Sequence, residues 1–230
     1  MLNLTNIRFA YNNQLVFDDL NLSINQGDFI FLIGKSGAGK STLLELMYMN
    51  LFPQEGYLEV GDFSTQTIRK NEIAIYRRKL GVVFQDFKLM EDRTVYDNLS
   101  FVLQIINTPK KLIKKKVINA LTEVGLIHKQ KNFPDELSGG EKQRIAIARA
   151  IINDPMILIA DEPTGNLDPE TAYEILDIFK KINKNGTTVI IATHNYDLVK
   201  KTDAQILKLD NGKVIKVILK TKNSNSNSDS

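Results

Sequence analysis

The 230-residue chain contains no cysteine. That absence excludes a disulfide scaffold, a zinc-thiolate site and a cysteine nucleophile, and it fits a reducing compartment. Long apolar runs are missing as well. No uncharged stretch exceeds twelve residues, the length of the one from Asn98 to Pro109, which Ser, Gln, Asn and Pro interrupt, whereas a bilayer-crossing helix needs roughly 18 apolar residues. The opening Met1-Leu2-Asn3-Leu4-Thr5-Asn6 has no basic segment leading into an apolar run, so no secretory signal is expected and the expected compartment is the cytoplasm. A large excess of one charge is absent too. The net charge of +3 gives no ground for a nucleic-acid partner, and none is expected. What remains is ordinary for a folded protein: 43% hydrophobic and 25% charged residues, enough for a sizeable core in one or two domains.

Apolar residues alternate at Leu2 and Leu4, in a shifted phase at Ile7, Phe9 and Tyr11, and again at Leu20, Leu22 and Ile24. These read as half-buried strands, the first kinked where the phase shifts. Phe29-Ile30-Phe31-Leu32-Ile33 is continuously apolar and leads into a Gly-rich turn and a helical pattern from Ser41, as a strand covered on both faces would. Two further apolar runs, Met156 to Ala160 and Thr187 to Thr193, end at Asp161-Glu162 and at His194. Three core strands thus finish in polar residues, where open parallel α/β sheets hold their ligands. Between them, from about Gln85 to Pro155, helical spacing dominates, with Ile113, Val117, Ala120, Leu121 and Val124 on one face and Lys110, Lys111, Lys114, Lys115 and Lys116 around it. The lysine run reads as a solvated helix face; a patch leaning on anionic lipid is the second reading. Asp168-Pro169 supplies an N-cap and a first-turn proline for a helix that ends at Asn185-Gly186, and residues 223–230 form a polar Asn/Ser tail with nothing to bury.

Gly34-Lys35-Ser36-Gly37-Ala38-Gly39-Lys40-Ser41 matches the phosphate-loop pattern in full, between a buried strand and a helix. Its glycines let backbone N–H groups wrap an anion, Lys40 reaches the outer phosphates, the Ser41 hydroxyl can ligate Mg²⁺, and Thr42 extends the cradle. Asp161 is placed to hold Mg²⁺ through its water shell, and Glu162 to take a proton from a water attacking the γ-phosphate. His194, at the neighbouring strand end, is expected at the same phosphate. In Leu137-Ser138-Gly139-Gly140-Glu141, Ser138 and Glu141 form a capping box, and the two glycines expose amides as a second anion site.

Leu137 to Glu141 resembles the signature motif of ABC-type ATPases, and it stands in that family's order: phosphate loop, Gln85, signature, Asp161-Glu162, Gly165-Asn166-Leu167-Asp168, His194. The resemblance spans about residues 1 to 220. It implies an α/β P-loop core of residues 1–84 and 156–222, with an N-terminal antiparallel β subdomain and an inserted helical subdomain of about 85–155, together one ATP-binding domain of 1–222. It further implies that Tyr11 stacks on adenine, that Gln85 ligates Mg²⁺ and senses the water, and that Asp168 signals across a homodimer. In that dimer Ser138, Gly139, Gly140 and Glu141 of one subunit would close over ATP held by the other.

Gly81 to Asn98, with Phe84-Gln85-Asp86-Phe87-Lys88 and Asp92-Arg93-Thr94-Val95-Tyr96, is similar to the FtsE family of cell-division ATP-binding proteins. This implies an ATPase on the cytoplasmic face of the cell membrane, docked on an integral-membrane FtsX-like partner. The segment Asp86 to Asn98 is expected to grip that partner through Phe87, Leu89, Met90 and Val95, rimmed by charges. Two alternatives remain open: the ATPase of a lipoprotein-release or macrolide-type transporter, and a soluble ABC ATPase acting on DNA or ribosomes.

Overall fold

The computed structural model describes residues 1–12, 14–202 and 204–217; the polar run 223–230 and the expected domain end at residue 222 lie outside them. Strand β3 (Phe29–Ile33) runs between β8 (Thr188–Thr193) and β9 (Gln205–Asp210), parallel to both. Next to β8, β7 (Ile157–Asp161) and β6 (Leu80–Val83) continue the parallel set, and β10 (Lys213–Val217) pairs antiparallel with β9 at the opposite edge. The central strands send alternate side chains into two cores. Ile30, Leu32, Ile157, Ile159 and Ile190 face one core, while Phe31, Ile33, Leu158, Val189 and Ile191 face the other. Coverage on both faces is why these segments are continuously apolar rather than alternating.

The first core is closed by a four-stranded antiparallel sheet, β2 (Gln14–Ile24), β1 (Leu2–Tyr11), β4 (Glu55–Val60) and β5 (Phe63–Ser64) in that order. The phase shift expected in β1 is present. Pairing with β2 slips between Leu4 and Ile7, Asn6 turns to φ 50°, and Leu2, Leu4, Ile7 and Phe9 all remain buried. Gly56 lies against this bulge, where a β-carbon would meet the Thr5 and Asn6 carbonyl oxygens at 2.3 Å, so no other residue fits. Helices α1 (Lys40–Met47) and α2 (Lys70–Arg77) flank the same core.

The second core is covered by α3 (Val95–Ile105), α4 (Lys110–Glu123), α5 (Gly139–Ile151) and α6 (Pro169–Lys184). Helix α4 buries Ile113, Val117, Ala120 and Leu121, the face its spacing predicts. Helix α6 starts where expected: the Asp168 carboxylate accepts from Thr171 N at 2.9 Å, and Pro169 occupies the first turn. Parallel pairing aligns Ile33 with Thr193, Asp161 with Ala192, and Val83 with Ala160. The carboxyl ends of β3, β8, β7 and β6 therefore share one edge, and each of Gly34, His194, Asp161 and Gln85 lies at or within two residues of a strand end there.

Candidate nucleotide site

The loop from β3 to α1 is shaped by two glycines in the left-handed region, Gly37 (φ 76°) and Gly39 (φ 97°). Gly39 caps α1 without a side-chain hydrogen bond, which leaves first-turn amides for an anion. It also has no room for a side chain, because a β-carbon would stand 2.8 Å from Val16 Cγ1. Lys40 folds back over the loop. Its Nζ donates to Gly34 O at 3.0 Å and Lys35 O at 3.3 Å, it lies 3.9 Å from Glu162 Oε1, and the residue is only 8% exposed. An ammonium so buried demands negative charge beside it.

That charge is held in place from β8. Glu162 Oε1 is 2.9 Å from His194 Nδ1, Oε2 accepts from His194 N at 3.2 Å, and the Glu162 amide donates to Ala192 O at 2.9 Å. Glu162 has φ 46°, a conformation costly for a residue with a side chain and typical of a functional turn. Beside it, the Asp161 carboxyl is pushed above the usual carboxylate range, first by burial and also by Glu162, while the Ser41 hydroxyl bonded to it and the Lys40 charge pull the other way. Tyr11, 45% exposed at the end of β1, has its hydroxyl 3.4 Å from Thr42 Oγ1 and its ring edge-on to Phe9. Gln85 is exposed on the turn after β6.

The structure thus brings Gly34 to Thr42, Tyr11, Asp161, Glu162 and His194 together. Ser138 to Glu141 are elsewhere, at the start of α5. Ser138 Oγ accepts from Glu141 N at 3.3 Å and Glu141 Oε2 accepts from Ser138 N at 2.9 Å, so the expected capping box forms. The Ser138 amide and Lys129, 3.0 Å away, hold the Glu141 carboxyl below its ordinary range. Gly140 abuts Thr171: a β-carbon would lie 2.6 Å from Thr171 Cγ2.

Three features escaped the sequence reading. The end of β9 packs on the phosphate loop, with Leu209 O 2.7 Å from where a Gly34 β-carbon would stand, and with the β9–β10 turn it borders a cavity of about 540 Å³ alongside Val16, Lys35 and Ser36; Asp210-Asn211-Gly212 is a hairpin-turn signal that could have announced it. Arg149, on α5, donates to the carbonyls of Phe87 and Lys88. The segment Asp86 to Asn98 presents its apolar residues only in part: Val95 is fully buried, Phe87, Leu89 and Met90 are partly exposed with the first two packed on the second core, and Asn98, also buried, bonds to the Met90 backbone. The open apolar surface lies next door, in a groove of about 760 Å³ that includes Ile73, Ala74, Val82, Val102, Ile105 and Ile106.

The ABC transporter family profile matches residues 17–165. The cell-division ATP-binding protein FtsE of Streptococcus pneumoniae is 43% identical over 205 residues, 89% of this chain and 89% of that protein. FtsE of Bacillus subtilis is 42% identical over 217 residues, 94% of this chain and 95% of the relative. Among solved structures, the dimeric post-hydrolysis state of the ATP-binding cassette MJ0796 with ADP and Pi matches with TM-score 0.83 and 31% identity, covering 96% of this chain and all of that one (100%). CbiO1 from Clostridium perfringens, part of the cbiONQ ABC transporter complex, matches with TM-score 0.86 and 32% identity over 93% of this chain and 86% of that one. The chain therefore belongs to the ABC transporter family, and it is an ATP-binding, ATP-hydrolysing cassette. Within that family it belongs with the cell-division ATP-binding proteins FtsE.

Proposed function

We propose that this chain is the ATPase of a cell-division complex at the cytoplasmic face of the membrane, where ATP-driven closure of a homodimer works on an integral-membrane FtsX-like partner. The observation that carries the chemistry is Glu162, held by His194 and 3.9 Å from Lys40. In this reading Lys40 and the loop amides of Gly34 to Ser41 bind the β- and γ-phosphates. Glu162 takes the proton from water as its oxygen attacks the γ-phosphorus and the bond to the bridging oxygen breaks, releasing ADP and phosphate. His194 keeps the carboxylate aimed and contacts the γ-phosphate, Thr42 extends the phosphate cradle, and Tyr11, whose hydroxyl is 3.4 Å from Thr42 Oγ1, stacks on adenine. The residues fit Mg²⁺: Ser41 and the partly buried Asp161 present hard oxygens side by side, with Gln85 nearby in the strand order. Among the described residues no group of three or more His, Asp and Glu could hold a metal unaided, which suits an ion shared with substrate phosphates. When bound, the ion neutralises charge that develops on the phosphate oxygens.

The signature residues Ser138, Gly139, Gly140 and Glu141 would complete the site of the dimer mate. The dimeric MJ0796 cassettes support this arrangement, as does the separation of the two anion-binding elements within one chain. One ATP-binding domain over residues 1–222, with a helical part of about 85–155, accommodates both. For the partner, the groove bordered by α2, β6 and α3 offers an apolar floor with Lys70, Arg77 and Arg78 at its rim, which suits a short amphipathic helix carrying acids. Among the described residues no helix is long and apolar enough to cross a membrane. Ala74 is exposed in the groove. Ala74→Trp is expected to abolish co-purification with the FtsX-like protein from detergent extract while ATP binding is retained. Undiminished co-purification would remove the groove from the proposal.

A further inference from the structure

From Asn98 to Thr122 the chain carries five lysines and no acidic residue. Lys110, Lys111, Lys114 and Lys115 are exposed on α4, and among the described residues none of these four is in an ion pair; Lys116 is, with Asp154 at 2.7 Å. Their placement opposes the helix. Lys110 and Lys111 occupy the first turn, at the positive end of the macrodipole, where Pro109 provides no side-chain cap and no acid is present, and Glu123 sits at the negative end. A charge order that works against its own helix is not explained by helix stability, and it points to something outside the chain.

Apolar groups stand among these charges. Leu112 is 41% exposed and shares the outward face of α4 with Lys111 and Lys115, opposite Ile113, Val117 and Leu121. Ile105, at the end of α3 just before the turn into α4, is 57% exposed and also lines the groove assigned to the membrane partner. Along the chain, Ile105 thus stands five residues before the first of these lysines.

We infer that the α3–α4 corner rests on the bilayer itself, with Lys110, Lys111, Lys114 and Lys115 against anionic lipid headgroups and Leu112 and Ile105 dipping among them. Long ammonium side chains with no fixed acceptor suit a diffuse negative surface better than a discrete site, and an exposed leucine beside Lys111 and Lys115 adds the apolar component of interfacial binding. The inference extends the docking proposal, yet it needs no partner protein and fails or holds without one.

The test uses the purified full chain with vesicles of phosphatidylcholine alone or containing phosphatidylglycerol, read by flotation. Binding is expected only to the anionic vesicles and is expected to vanish at high salt, where the screening length falls to about 3 Å at 1 M. Replacing Lys110, Lys111, Lys114 and Lys115 together by Gln is expected to weaken it at least ~10-fold, with ATP hydrolysis unchanged and the melting temperature the same or raised, since two charges opposing the helix dipole are removed. The same number of charges removed elsewhere, at the exposed Lys181, Lys184, Lys200 and Lys213, is expected to leave it nearly intact. Equal binding to neutral vesicles, retention by the first variant, or equal loss in the second would overturn the inference. So would tighter binding to single-stranded RNA that the first variant alone loses. Failure of the docking proposal reads out separately, because Ala74→Trp addresses only co-purification with the partner.

Discussion

Arg149 Nη2 donates to Phe87 O at 2.7 Å, and its Nη1 donates to Lys88 O, so a side chain of α5 holds the turn that follows Gln85. Phe87 (φ 57°) and Lys88 (φ 52°) are consecutive left-handed residues with side chains, a conformation that costs roughly 1–2 kcal/mol for each. The guanidinium offsets that cost by pairing both carbonyls at once. Burial pulls its pKa below the ordinary arginine value, while leaving it the charged fork that a lysine cannot imitate.

Arg149→Lys is therefore expected to leave at least one carbonyl unpaired and to lower stability by about 1–3 kcal/mol in urea unfolding. ATP turnover is expected to drop as well, because Gln85 sits two residues from Phe87. Unchanged midpoint and turnover would show that the turn holds itself.

The contact between Gly140 and Thr171 ties the signature helix to α6. Gly140→Ala is expected to push the two apart, since the β-carbon would lie 2.6 Å from Thr171 Cγ2. Turnover should fall while ATP affinity of the single subunit, set at Lys40, stays as it was. Adding Thr171→Ser removes the opposing methyl group and keeps the hydroxyl that bonds Asp168, so it should restore turnover. A double variant no better than the single one would place the fault elsewhere.

Asp161 gives a pH signature to the nucleotide-free protein. Its carboxyl is raised by folding, so the folded state binds the proton more tightly than the unfolded state, and stability falls as pH rises from the ordinary carboxylate value through the raised one. Asp161→Asn should raise the melting temperature at neutral pH, and the gain should shrink towards acid. A gain independent of pH would mean that the raised carboxyl is not its source.

Much of the site was legible because phosphate chemistry demands particular residues at particular spacings, and strand ends at Ile33, Asp161 and Thr193 bring those residues together in any parallel sheet. The continuous apolar runs gave away β3, β7 and β8 for the same reason. Other parts were hidden. Strand β4 alternates Gly, Leu and Val among charges and follows a loop, and β9 and β10 carry Lys and Asp between their apolar residues, so their patterns were weak. Arg149 was unreadable because its partners, the Phe87 and Lys88 carbonyls, are about 60 residues away and belong to the backbone, which carries no sequence signal. The burial of Val95 and the packing of Phe87 and Leu89 were hidden because they depend on the second core, and local composition does not reveal that core.

Lys40→Ala removes the buried ammonium that Gly34 O and Lys35 O accept from. Hydrolysis should be abolished and ATP affinity in calorimetry should fall by at least ~10-fold, since a charge-assisted contact is worth about 1.5–3 kcal/mol. Parental affinity would mean that the amides of the loop suffice for binding.

The most direct measurement is turnover and assembly state of Glu162→Gln in saturating ATP. The amide keeps the shape held by His194 but cannot take a proton. Hydrolysis should fall by about 10²- to 10⁴-fold, the usual worth of a general base, while sedimentation shows an ATP-bound dimer accumulating. Hydrolysis at the parental rate, or a chain that stays monomeric with ATP bound, would contradict Glu162 as the base of a site that closes between two copies.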